Sequence, residues 1–268
     1  MHTWHWQTWE ELPYLTCSLL QDWEHGFFTS AFSPRVPSEI VGVLQPEAQV
    51  YRVKQVHGNT VLTPSEIENA IPVHQEGQEE VERPSADGIL TEQPQQAVWV
   101  CTADCTPVLI ADEKTGQVAA VHAGWRGTAT RIVPNAIARL INSGSRLEDL
   151  RIAMGPAIAG EVYQVSEAVA SEVGASIIPQ DKAESLEAIL DFLQQLPDSP
   201  ILEDAHPGRV RLDVRRVNAI QLEQLGISAE QVAIAPYCTY QKPEHFFSYR
   251  RDKLKKVQWS GIVSKTRN

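Results

Sequence analysis

The chain has no run of 18 apolar residues, so no stretch of it is long enough to cross a bilayer as a helix. Its opening, MHTWHWQTWEELPY, lacks a basic segment followed by an apolar core, and a soluble cytoplasmic protein without a secretory leader is expected. Cysteine is scarce. Cys17, Cys101, Cys105 and Cys238 form no CxxC pair, which argues against a zinc ribbon, a thioredoxin-like redox motif or a disulfide scaffold. Cationic residues are also in deficit, 23 Lys and Arg against 34 Asp and Glu, for a formal net charge of -11. A general nucleic-acid binder usually carries a basic face, so none is expected here, and an anionic ligand has to be held by arginines placed locally. Internal repeats and low-complexity linkers are absent as well. What is present, 268 residues with 43% hydrophobic content, is enough to bury a sizeable core, and one domain spanning residues 1–268 is expected.

The richest stretch is AVWVCTADCTPVLIADEKTGQVAAVHAGWRG, residues 97–127. Val98 to Val100, Thr106 to Ala111 and Gln117 to Val121 read as strands, rich in the β-branched and aliphatic residues that suit a buried sheet. Asp112 to Gly116 are turn formers. If that turn pairs Ile110 with Gln117, antiparallel counting sets Cys105 directly opposite His122. Directly paired residues share a face with Cβ atoms about 5 Å apart, close enough to share a metal ion or to act as nucleophile and base.

Upstream, Trp4, Trp6 and Trp9 suggest a short strand with a packing role, and residues 26–35 read as a strand running into a turn. YRVKQVH, residues 51–57, alternates apolar and polar positions, so His57 is expected where a strand meets the Gly58-Asn59 turn. Residues 66–84 are acidic and unpatterned, as in a solvated loop. Downstream of the hairpin, the Gly-Trp-Arg-Gly turn feeds a helix from about Thr128, with Ile132, Val133, Ala136, Ile137 and Leu140 on one face and Gly144 at its end. The start of that helix, next to Arg126, is a candidate anion site. Residues 150–154 read as a strand, followed by GPAIAGEVYQVS, whose Gly155 and Gly160 suit either a bound ligand or close packing. Helices are expected over 181–196 and across LDVRRVNAIQLEQLG, the second capped by Gly226, with a turn-rich polar segment between them. Residues 232–235 and 257–263 read as the closing strands.

His57, Cys105 and His122 are suitable zinc donors, and three protein ligands leave a fourth position open for water or substrate, as in a catalytic rather than a structural zinc site. Asp104 adjoins Cys105 and Asp87 lies in the segment ADGILT, each there either to orient a ligand and move a proton or to cap a turn.

The motifs QVHGN, ADGILT, TADCTPVLIAD, VHAGWRGT, the LD…N…QL helix and CT…FFSYRRD, in that order across roughly residues 25 to 265, resemble the YfiH-like family. Its members were long labelled laccase-domain or polyphenol oxidase proteins and were later described as purine nucleoside enzymes. The resemblance implies an α/β layered sandwich with a mixed β-sheet, distantly similar to the catalytic domain of the cytotoxic necrotizing factor toxins. It implies that His57, Cys105 and His122 are the metal ligands. The chain departs from the family pattern at Ser30, Ala31 and Phe32, where an arginine and a glycine pair are usual, and at Ala157, where a cysteine is common.

The expected activity is phosphorolysis of adenosine, inosine or methylthioadenosine to base and sugar 1-phosphate, with adenosine deamination as a second activity. His57, Cys105, His122 and Asp104 are the expected catalytic residues; Arg126, Arg250 and Asp87 are expected to contact purine nucleoside or phosphate. The arginine assignments rest on anion chemistry rather than on the resemblance. Copper-dependent phenol oxidation is the alternative that the older family label suggests. Eight histidines without a His-x-His pair, and only Met1 and Met154 as thioether ligands, weigh against it. A third reading makes Cys105 a nucleophile and His122 its base in a hydrolase of amide bonds or cell-wall precursors. Zinc is the expected cofactor, with copper as the other candidate. A homodimer is the candidate assembly.

Overall fold

The computed structural model describes residues 2–70, 83–179 and 182–266. Two six-stranded mixed sheets carry the fold. In the first, β1 (Trp4–Trp9), β2 (Leu12–Cys17) and β3 (His25–Phe28) run antiparallel, and β3 is followed in order by β15 (Gln258–Val263), β7 (Gln96–Thr102) and β4 (Gln49–Tyr51). The second has the order β14 (Val232–Ile234), β10 (Leu150–Met154), β8 (Thr106–Asp112), β9 (Val118–Ala123), β6 (Gly88–Leu90) and β5 (Val61–Leu62). Pairs β4–β7, β10–β14 and β5–β6 are parallel and the remaining pairs antiparallel. A small antiparallel sheet of β11 (Gln164–Ser166), β13 (Arg209–Leu212) and β12 (Ile201–Glu203) lies apart from both.

The central strands are apolar on both faces because each is buried on both. On β8, Leu109 and Ala111 join Val98, Val100, Phe27 and Ile262 of the first sheet in one core. The intervening Val108 and Ile110 point the other way, into a second core with the helical residues Ile132, Val133, Ala136, Ile137 and Leu140. The expected apolar face of that helix is therefore buried as read. Sheet on sheet, backed by helices, gives the expected layered α/β sandwich with mixed sheets.

Several local expectations are corrected. The hairpin register is shifted by two residues: Ile110 pairs with Ala119 and His122 with Pro107, not with Cys105. Asp112 tightens the turn, since its Oδ1 accepts the amides of Lys114 and Thr115 while its own N–H donates to the Gln117 carbonyl. A shift of two preserves the face, because side chains alternate with a period of two. The strand expected over 51–57 ends at Tyr51; beyond it only Lys54 forms a bridge, to Ser85. His57, rather than Gly58, takes the left-handed backbone, at φ 62°.

The start of the acidic segment, residues 66–70, belongs to a helix, α2 (Pro64–Ala70), in which Glu66 accepts the Thr63 amide and pairs with Arg139; residues 71–82 lie outside the described residues. The helix expected from Thr128 is divided. α3 (Trp125–Ala129) ends before Arg131, whose φ of 61° breaks the chain ahead of α4 (Ile132–Asn142). α3 is a single short turn, so the anion site expected at a long helix start is not formed there. α5 (Glu167–Gly174) and α6 (Leu186–Gln195) pack with the small sheet, α6 starting later than expected, and Asp181 lies outside the described residues. The segment expected to be turn-rich contains β12, and Leu212 belongs to β13, so α7 (Val214–Gln224) begins after its cap Asp213. The last strand, β15, sits in the middle of the first sheet rather than at an edge. α1 (Pro37–Ile40) and α8 (Tyr249–Asp252) are single turns. Gly155 and Gly160 follow the close-packing alternative: a Cβ on Gly155 would meet the Phe27 ring at 2.1 Å, and one on Gly160 would meet Asp213 at 2.8 Å.

Candidate metal centre and cavity

The hairpin end, the His57 turn and β6 meet at one point. His122 is the penultimate residue of β9, Cys105 immediately precedes β8, and the two stay on one face despite the shifted register. His57 comes in from the loop after β4, its ring 4.8 Å from that of His122 and nearly perpendicular to it. One ligand atom from each of His57, Cys105 and His122 lies within 4.8 Å of the others. Tetrahedral zinc with bonds of about 2.0–2.3 Å needs neighbouring donors roughly 3.3–3.7 Å apart, a spacing within reach of this cluster. The donors fit a single metal ion with an open position.

Asp87 organises the centre from behind. Its carboxylate accepts His122 Nδ1 at 2.8 Å and the amides of Val56, His57 and Gly58 at 3.2, 2.9 and 2.7 Å. Nδ1 is thereby committed as the donor and Nε2 is left free toward Cys105 and the cavity, the arrangement by which outer carboxylates orient ligating histidines. Burial pushes the Asp87 carboxyl up, but the His122 and backbone hydrogen bonds outweigh it and hold the group below the usual carboxylate range. Burial also opposes charge on Cys105, yet His122 and His57 draw the thiol down to about 6. His122 moves the opposite way, to about 9: its burial is overcome by the Cys105 charge and by Asp87. Each group thus favours the charged form of the other. Gly124 makes room for it, since a Cβ there would stand 2.7 Å from Cys105 Sγ.

The cluster opens into a cavity of about 510 Å³, within the usual size of small-molecule sites. Arg126 and Arg250 both line it. The Arg126 guanidinium lies 4.3 Å over the Trp125 ring; that of Arg250 lies 4.6 Å over Tyr163 and donates to the Gln164 carbonyl. Asp104 borders the cavity, but its oxygens are occupied by the Thr239 hydroxyl at 2.6 Å and the Arg250 amide at 2.8 Å. It anchors α8 and thus positions Arg250, which differs from the catalytic role expected. Asp87 is fully buried and does not reach the cavity, so the expected substrate contact is replaced by its contact with His122.

Ser30 and Ala157 do not line this cavity either: Ser30 donates its amide to the His245 carbonyl, and Ala157 is buried against Cys238. Sequence reasoning missed Tyr163, Thr102, Lys255 and Lys256, all of which line it. Burial, reinforced by the Cys105 charge, pushes the Tyr163 phenol up to about 12, so it stays a hydrogen-bond donor. Among the described residues no helix is long and apolar enough to cross a membrane.

Known proteins resemble the chain in sequence and in fold. A family model described as multi-copper polyphenol oxidoreductase laccase matches residues 38–263. A purine nucleoside phosphorylase of Synechocystis sp. is 52% identical over 261 residues, 97% of each chain. One of Mycobacterium tuberculosis is 35% identical over 207 residues, 77% of this chain and 69% of its own. Among solved structures, YlmD from Geobacillus stearothermophilus has a TM-score of 0.75 at 20% identity, covering 97% of this chain and 98% of that one. The Bacillus licheniformis hypothetical protein YfiH has a TM-score of 0.72 at 23% identity, covering 94% and 96%. The shared fold and the match over most of the sequence lead to one conclusion: the chain belongs to the multi-copper polyphenol oxidoreductase laccase family.

Proposed function

We propose that the chain is a zinc-dependent purine nucleoside phosphorylase. It converts adenosine, inosine or methylthioadenosine and phosphate to free base and sugar 1-phosphate, and it deaminates adenosine as a second activity. The carrying observation is that the His57, Cys105 and His122 cluster and two arginines face one cavity. The names of the Synechocystis and mycobacterial relatives support the same reading. Zinc suits two imidazoles and a thiolate, and when bound it supplies Lewis-acid charge at its open position.

The chain's own residues supply positioning. Phosphorolysis breaks the bond from the sugar C1′ to the purine nitrogen and forms one from C1′ to a phosphate oxygen, so phosphate has to be held against the sugar. Arg126 holds that anion, and Arg250, kept in place by Asp104 and Gln164, takes a second oxygen. The Tyr163 phenol donates a hydrogen bond to the ligand, while Ile158 and Val214 exclude water from the reacting carbon. Deamination needs water but no phosphate.

Purified protein incubated with each nucleoside, with and without phosphate, tests this. Free base should form only with phosphate, and any inosine formed from adenosine should not depend on it. Free ribose without phosphate would identify a nucleoside hydrolase, and the absence of any product would remove the reading. About one zinc per chain is expected, and Cys105→Ala should lose it.

One observation favours a second reading. Cys105, His122 and Asp87 stand in the order nucleophile, base and orienting carboxylate, which suits a hydrolase of amide bonds or cell-wall precursors. Such an enzyme works after chelation, whereas the zinc phosphorylase does not. Copper can also occupy a donor set of two histidines and a cysteine. Multicopper phenol oxidation needs further copper ligands, and among the described residues this is the one cluster of three or more ligating side chains.

A further inference from the structure

Of the sequence motifs, LD…N…QL gives only Val214 to the cavity lining. Its Asn218 and Gln221 are fully buried and lie about one turn apart on one face of α7. Both reach α3. Asn218 Nδ2 donates to the Thr128 hydroxyl at 3.0 Å and to the Val214 carbonyl at 2.8 Å. Gln221 Nε2 donates to the Thr128 carbonyl at 2.9 Å and to the Ser176 hydroxyl at 2.7 Å. Val214 and Thr128 present carbonyls here, which only accept, so the nitrogen end of each amide has to face its partner. One fully buried residue of α3 is thus held through its side chain and its main chain at once.

α3 depends on such a hold. It has only five residues, and a helical turn of that length does not persist on its own hydrogen bonds, because nucleation is unfavourable. Trp125 and Ala129 pack against the core under the small sheet, but apolar contact is non-directional and does not fix the roll of a turn about its axis. Hydrogen bonds, with their angular preference, do. On its other side the turn abuts the loop of His57. A Cβ on Gly127 would meet the Gly58 carbonyl at 2.9 Å, and Asn59 Nδ2 donates to the Thr130 carbonyl at 3.1 Å. Arg126 stands two residues before Thr128, so any roll of α3 carries its long side chain across the cavity.

We infer that Asn218 and Gln221 are positioning residues for anion binding: through Thr128 they set the roll of α3, and with it the place of the Arg126 guanidinium in the cavity. Neither touches the ligand. The same helix presents Val214 to the cavity, so α7 fixes the anion-binding arginine and part of the apolar wall together. Misplacing a binding group by a change remote from the reacting atoms lowers activity without removing any contact residue. The inference rests on the assignment of Arg126 to phosphate, although phosphate binding can be measured without turnover of a nucleoside.

Two measurements on the metal-loaded protein test it: calorimetric titration with inorganic phosphate, and hydrogen exchange across residues 123–131. The variants are Thr128→Val, which keeps the shape and loses the hydroxyl, Thr128→Ser, which keeps the hydroxyl, and Gln221→Met. Thr128→Val and Gln221→Met should each weaken phosphate binding by roughly fivefold, the size of one neutral hydrogen bond. Exchange across 123–131 should quicken in both while α4 keeps the parent rate. Thr128→Ser should recover most of the affinity, which sets position apart from bulk. In an Arg126→Ala background, Thr128→Val should weaken phosphate binding no further, because the two act as one unit. Lower unfolding stability with unchanged phosphate affinity would leave the pair a structural role only and overturns the inference. So does an additive double variant, or exchange across 123–131 at the parent rate in both Thr128→Val and Gln221→Met. A parent without phosphate affinity overturns it together with the Arg126 assignment. The expected binding pattern without turnover of any purine nucleoside would retain the positioning role and remove the phosphorylase reading instead.

Discussion

Asp87 holds His122 through a 2.8 Å hydrogen bond to Nδ1 and, with the same carboxylate, accepts three successive amides of the turn that carries His57. One buried side chain therefore fixes two of the three candidate ligands, one through its ring and the other through its backbone. The left-handed conformation of His57, unfavourable for a non-glycine residue, is stabilised by these amide contacts.

Replacing Asp87 should damage metal binding without removing a ligand. Loss of an outer carboxylate typically costs about 10–100-fold in metal affinity, and Asp87→Asn should fall in that range. Competition against a chromophoric chelator measures it. Parent-like affinity in Asp87→Asn would mean that the turn and His122 are held by other contacts.

Gly124 should be sensitive for a steric reason. A methyl group there meets Cys105 Sγ at 2.7 Å and His57 Cδ2 at 3.6 Å, so Gly124→Ala has to displace the thiol or the loop that carries it. Metal content should drop in Gly124→Ala while the cooperative unfolding transition survives, since overpacking typically costs about 1–3 kcal/mol. Full metal occupancy would show that the cysteine can retreat without cost.

The parts of this molecule that were legible in the sequence are those whose signal is local. The strands around residues 98–121 are apolar throughout because both faces are buried, and α4 shows its buried stripe directly. Cys105 and His122 were placed on one face because parity survives a two-residue error; the register itself did not, because it depends on how tightly Asp112 folds the turn. The break at Arg131 has its sequence mark in Pro134, which cannot continue the helix from α3 but fits the first turn of α4, whereas the positive φ of the arginine itself is imposed by its surroundings. Thr102, Tyr163, Lys255 and Lys256 could not be grouped from spacing, because the sheet order brings β15 against β7 from the far end of the chain.

His25 should make the fold acid-sensitive. Its Nδ1 faces the Trp23 carbonyl and its Nε2 accepts the Cys17 amide, both at 2.8 Å, a pairing that needs the neutral ring. Burial lowers its pKa from 6.5 to about 4. Between those values the unfolded chain holds a proton that the folded chain does not, so stability falls as pH drops from 6.5 toward 4 and this contribution is exhausted below that. The shift corresponds to about 3 kcal/mol. Urea denaturation at pH 7.5 and at steps down to 4.5 should show the decline, with a shallower slope in His25→Gln. An identical slope in the variant would assign the acid loss to other groups.

Arg126 should matter to phosphate more than to metal. Its guanidinium is held over the Trp125 ring and forms no hydrogen bond or salt bridge with another described side chain, so its donors remain available to an anion. A charge-assisted contact is typically worth about 1.5–3 kcal/mol, which corresponds to a rise in the phosphate KM of roughly tenfold or more in Arg126→Ala. Metal content should stay at the parent level, because Arg126 contributes no ligand atom to the His57, Cys105 and His122 cluster. Steady-state phosphorolysis at fixed nucleoside and varied phosphate, run beside elemental analysis, separates the two effects. A phosphate KM unchanged by the substitution would move the anion to Arg250, while loss of metal together with phosphate use would mean that Arg126 acts by supporting α3 and the hairpin end beneath it.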